Sequence, residues 1–67
     1  MSVAKVTEII SSSEKSFEDA VESGIARANK TLKGIKGAWI TDQKVDVSDG
    51  KITLYRVRIK LTFVLND

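Results

Sequence analysis

At 67 residues, with 42% of them hydrophobic, the chain suits one small domain and is too apolar to be disordered. It contains no cysteine and no histidine, which removes disulfides, thiolate zinc sites, Ser–His and Cys–His catalytic pairs and the commonest transition-metal ligand. A net charge of +2, with nine acidic residues spread along the chain, permits an anionic partner without calling for one.

The opening segment, MSVAKVTEII, has no apolar run of signal-peptide or membrane-spanning length. A cytoplasmic protein with no membrane partner is therefore expected. Residues 2–10, SVAKVTEII, are β-branched and apolar and predict a strand, which the serines of SSSEKS end. Ser16 then caps a helix: Ser16-Phe17-Glu18-Asp19 varies the capping box, with Asp three residues on. Glu18, Asp19 and Glu22 suit the positive end of the helix dipole, and Lys30 and Lys33 suit the other.

The helix is predicted over 17–33. Phe17, Ala20, Val21, Gly24, Ile25, Ala28 and Leu32 recur at three- and four-residue steps and form one apolar stripe. Its small members, Ala20, Gly24 and Ala28, let the helix lie close to a sheet, and Gly34 supplies a left-handed stop. A hairpin follows, turning at Asp49-Gly50 between Ser48 and Lys51. With a two-residue loop, facing residues have numbers summing to 99. Trp39 then faces Lys60, Thr41 faces Arg58 and Gln43 faces Arg56, while Ala38 meets Leu61 and Ile40 meets Ile59.

Alternation agrees with this register. Tyr55, Val57, Ile59, Leu61, Phe63 and Leu65 make an apolar row toward the helix, and Arg56, Arg58 and Lys60 point away. Trp39, the only tryptophan, falls on the cationic face. A helix over 17–33 is about 25 Å long, whereas a strand over 51–65 spans roughly 45–50 Å. The strand outruns its helix, so part of the apolar row needs a cover from elsewhere. With disulfides and histidine- or cysteine-bound metals absent, other copies of the chain are the expected cover.

No catalytic constellation stands out. Gly24, Gly34, Gly37 and Gly50 fit no phosphate-loop spacing, and Glu18 and Glu22 read as one solvated helix face rather than an acid/base pair. The chain is not expected to be an enzyme. Arg56, Arg58 and Lys60 beside Trp39 combine cations with a flat ring, which suits a phosphate and a stacked ligand. Trp39 is equally suited to packing against another subunit. Nucleic acid is not expected, because one ring and three cations lack the repeated aromatics of an RNA-binding sheet.

Together, VTEIISSS, SFEDAV, ARANKTLKGI and DGKITLYRVRIKLTFVLND resemble the dodecins almost end to end. The specific elements are the serine cluster, the Ser-aromatic-acidic helix start, the Asn-Lys-Thr-Leu helix end and the pattern Y-x-V-x-[IL]-K-[LV]-T-F. The resemblance implies an α+β subunit of order β-α-β-β, occupying 1–67 as a single domain. Its three-stranded antiparallel sheet would partly wrap one helix. The resemblance further implies a hollow homododecamer that binds a flavin, riboflavin or FMN, for storage or protection rather than catalysis.

Flavin-binding dodecins stack the isoalloxazine on a tryptophan of the second strand and hydrogen-bond it with a glutamine after the tyrosine of the third. Aligned on Thr31-Leu32, the tryptophan position falls on Gly37 and the glutamine position on Arg56. Trp39 lies two residues later, on the same face but about 6–7 Å along the strand. The candidate ligand residues are Trp39 and Arg56, with Gly37 as the vacated stacking position and Gln43 and Arg58 as lesser contacts. The ligand would be a small molecule: a flavin or another flat anionic metabolite. The alternative is a structural shell of the same fold that has lost flavin binding, with Trp39 as interface packing.

Overall fold

A computed structural model describes residues 3–65. The chain runs β1 (Val3–Ser13), α1 (Phe17–Ala28), β2 (Ile35–Ser48) and β3 (Lys51–Leu65). The strands form one antiparallel sheet in the order β1-β3-β2, so the apolar row of β3 lies at its centre. Ala20 and Ala28 of α1 and Val57, Ile59 and Leu61 of β3 are the buried core. Ile9, Phe17, Val21, Ile25, Leu32 and Ile35 pack around them. The predicted helical stripe is the one that is buried, because its small residues bring the backbone close to the strands.

At the helix start, Ser16 accepts the Asp19 amide at 2.9 Å, as the capping pattern predicts. The carboxylate of Asp19 takes the hydroxyl of Ser13 at 2.6 Å, and the Ser13 oxygen also accepts the Lys15 amide at 2.9 Å. The serines therefore do not end β1; Ser11, Ser12 and Ser13 belong to it. Small side chains are needed there because α1 crosses directly above: a Cβ on Gly24 would lie 2.7 Å from the Ser11 Cβ. Ser2, where the strand was expected to begin, lies outside the described residues.

The helix is also shorter than its periodicity suggests. It stops at Ala28, with Asn29 as C-cap. Three-residue bonds from Lys30 to Arg27 and from Thr31 to Ala28 tighten the chain beyond it, a common way for a helix to end. Gly34 has φ 76 but serves the entry to β2, not the helix cap.

The hairpin turn is as expected: Asp49 and Gly50 have φ 52 and 75, the left-handed pair of a type I′ turn. The register from it is not uniform. Ser48 pairs with Lys51 and Val47 with Ile52, but Thr53 is passed over and Asp46 pairs with Leu54. Thr41 is passed over in turn, which restores Ile40 to Ile59, Trp39 to Lys60 and Ala38 to Leu61. Between these bulges the expected pairs are corrected: Arg58 faces Asp42 rather than Thr41, and Arg56 faces Lys44 rather than Gln43. Each bulge threonine donates its hydroxyl across the ladder at 3.3 Å, Thr53 to the Asp46 carbonyl and Thr41 to that of Arg58.

The helix packs mainly on β1 and β3, and of β2 it is Ile35 that packs against the core. Ile40, Val47 and Ile52 remain exposed, as does the far end of the β3 row at Leu65. The sheet is elongated to match, with a long axis of 52 Å.

Candidate functional site

The face of the sheet opposite α1 follows from the two registers. Its rows across β1, β3 and β2 read Val6–Thr62–Gly37, Glu8–Lys60–Trp39, Ile10–Arg58–Asp42 and Ser12–Arg56–Lys44. Cations run down the central strand; apolar or acidic groups flank Lys60 and Arg58, whereas Ser12 and Lys44 flank Arg56. Trp39 is 62% exposed, so it is no core residue within its own subunit.

Beside these rows lies an open depression of about 260 Å³, bordered by Ile10, Asp42, Gln43, Lys44, Arg56, Val57 and Arg58. Of the five candidate ligand residues, Arg56, Arg58 and Gln43 meet here. Gln43 does so although its register partner is the core residue Val57. Trp39 and Gly37 lie outside. Four residue steps along β3, from Lys60 to Arg56, separate the Trp39 row from the Arg56 row, roughly 13 Å along the strand. A Cβ on Gly37 would approach only the Thr62 hydroxyl, at 3.1 Å.

Arg56 is not a free cation. Its Nε and Nη2 donate to the two carboxylate oxygens of Asp46 at 3.3 and 2.9 Å, a forked pair of the stronger kind. The hydrogen bond from Arg56 holds the Asp46 carboxyl below its usual 3.8; burial opposes this, and the charges of Arg56 and Lys44 add to it. The same hydrogen bond and the Asp46 charge raise Arg56 above its usual value. Among the described residues Arg58 and Lys60 have no ion-pair partner.

Asp46 carries no mark in the sequence. Under unbroken pairing it would face Thr53 and point to the helix side; the bulge at Thr53 turns it toward Arg56. Asp42 and Lys44 were missed for the same reason.

Known proteins place this architecture. The family model described as Dodecin matches residues 3–66. A curated relative, the calcium dodecin of Mycobacterium tuberculosis, is 39% identical over 64 residues, 94% of this chain and 89% of the relative. Among solved structures, a point variant of the Thermus thermophilus dodecin superposes with TM-score 0.92 at 25% identity, covering 100% of both chains. A structure from M. tuberculosis, described as a calcium-chelating antigen and calcium dodecin with a novel calcium-binding site, matches with TM-score 0.80 at 32% identity over 96% of this chain and 91% of that one. With the family model spanning nearly the whole chain and the same strand–helix–strand–strand subunit in those structures, this protein belongs to the dodecin family.

Proposed function

We propose that the chain assembles into a closed homododecamer and, without catalysing a reaction, binds and stores a flavin or a similar flat anionic metabolite on the face opposite α1. The observation that carries this reading is the exposed Trp39 beside Lys60 and Arg58, cations with no carboxylate partner among the described residues. A ring and unpaired cations on one surface are what a flat anion needs.

The single subunit supplies only part of such a site. Its depression, at about 260 Å³, is open and falls below the roughly 300–1,000 Å³ of a typical ligand pocket. Exposed Val6 and Ile10 share this face, and Ile40, Val47 and Ile52 are bare on the other. Burying these residues against further copies would complete the wall and cover the apolar surface together. In this arrangement Gly37 leaves space beside the ring, Trp39 stacks, Arg58 meets the anionic group, and Arg56 and Gln43 border the ligand.

Two measurements test the reading. Light scattering is expected to give a mass near twelve times 7.4 kDa, and a stable monomer at micromolar concentration would refute the assembly. Protein purified from cells, or titrated with riboflavin or FMN, is expected to show flavin absorption. A dodecamer that takes up neither would make the shell structural and Trp39 interface packing.

A second reading comes from the relative named a calcium dodecin: the same shell would hold a divalent cation. Among the described residues no group of three or more acidic side chains comes together within one chain, so a single subunit does not fit the ion. Such a site would have to draw carboxylates from several copies. Calorimetric titration with calcium chloride separates the two readings.

A further inference from the structure

Arg56 borders the depression, at the position where the resemblance places an uncharged glutamine, and Asp46 holds it from outside that border. We infer that Asp46 determines the ligand specificity of this depression by neutralising Arg56 and fixing its orientation, so that ring carbonyls are favoured over a phosphate. This rests on the flavin reading above and names the feature within it that sets ligand charge.

The geometry gives the reason. Asp46 engages the Nε and Nη2 edge of the guanidinium, and the Nη1 hydrogens on its far side are left to donate. A guanidinium held this way is a directed donor with its charge matched, which suits a neutral carbonyl oxygen. Without Asp46 the depression would have Lys44, Arg56 and Arg58 against Asp42 alone. With Asp46 the cationic excess falls from two charges to one. A phosphate bearing about −1.5 to −2 charges feels that difference, and a riboflavin ring barely does.

The pair also depends on the strand irregularity. Asp46 stands diagonally from Arg56, one facing Leu54 and the other Lys44. They share a face only because Thr53 is passed over in the ladder. A carboxylate brought to this spot by a bulge, and closing a two-point contact on the one cation that replaces a family amide, is a feature of the ligand face rather than of the core.

The experiment is a double-mutant cycle read by quenching of flavin fluorescence, using riboflavin and FMN as probes. Asp46→Asn is nearly isosteric, and Asp46→Ser is a second neutralising change with the same expectation. Either is expected to raise the FMN-to-riboflavin affinity ratio about three- to tenfold at low salt, the size of one added charge acting across water-exposed distances of about 6 Å. The gain should shrink at high ionic strength and be clearly smaller when Arg56→Gln is present as well, because only the direct effect of the removed carboxylate charge is then left. An unchanged ratio with binding intact overturns the inference and leaves the flavin reading standing. A gain undiminished in the Arg56→Gln background also overturns it, because the effect would not act through Arg56. Failure of wild type and all variants to bind either probe, with assembly intact by light scattering, overturns the flavin reading and the inference with it.

Discussion

Replacing Gly24 by alanine sets two effects of known sign against each other. Gly24 lies inside α1, where alanine is favoured over glycine by roughly 0.8–1.0 kcal/mol. On helix propensity alone Gly24→Ala stabilises the protein. The packing says otherwise. The new methyl would lie 2.7 Å from the Ser11 Cβ and 2.8 Å from its hydroxyl, and 3.5 Å from Ile59 Cδ1. The first distance is well inside the 3.5–4.0 Å optimum for carbon atoms. Its partner is a Cβ fixed to the β1 backbone, so no rotamer change relieves it and helix and strand must separate. Overpacking of this kind costs about 1–3 kcal/mol. The upper part of that range applies here because the clashing atom cannot swing away.

The net expectation is a loss of about 1–2 kcal/mol after the propensity gain is subtracted. Chemical denaturation at fixed protomer concentration measures it, fixed because the proposed assembly would link stability to concentration. The cycle with Ser11→Gly isolates the cause. That change removes both clashing atoms, so the pair should show a favourable coupling of about 1 kcal/mol or more. Stabilisation by Gly24→Ala alone, or strict additivity in the cycle, would refute the close approach of α1 and β1.

Leu61 is fully buried opposite Ala38 and Thr7, so Leu61→Ala should cost about 2–5 kcal/mol; an unchanged denaturation midpoint would invert the face assignment of β3. The Asp46 carboxyl is lowered in the folded protein, so its stabilisation is full above the usual 3.8 and is lost as pH falls through the folded value. The melting temperature of wild type relative to Asp46→Asn should therefore be pH-independent near neutrality and converge on the variant in acid, and a constant difference down to the lowest pH would count against the ion pair. Gly37→Trp with Arg56→Gln restores the family pattern and should tighten riboflavin binding about tenfold or more, the equivalent of one stacking partner at 1–3 kcal/mol. Fluorescence titration checks it. Tight riboflavin binding by the unmodified chain would instead show that Trp39 alone suffices as the stacking residue.

The sequence alone determined the order of elements, the Ser16 cap, the Asp49-Gly50 turn, the buried stripe of α1 and the inward face of β3. Each of these rests on local chemistry or on the fixed periods of helix and strand, and neither needs a partner to be read. It also placed Trp39 opposite Lys60 on the outer face, because the two bulges cancel and return that part of the ladder to the register set at the turn. The middle of the hairpin was not legible. A bulge belongs to two strands jointly: one extra residue shifts the pairing and reverses which face the next residues meet. Nothing in a single strand's alternation announces it. Thr53 and Thr41 look like ordinary strand residues until their hydroxyls are seen bonding to the opposite carbonyls. Passing over Thr53 brought Asp46 onto Arg56 and moved Gln43 opposite Val57, and passing over Thr41 returned residues 37–40 to register, before a further shift set Ile35 opposite Phe63. The tight contact of Gly24 with Ser11 was likewise decided by tertiary structure, because small residues in each segment permit a close crossing but do not say which two will meet.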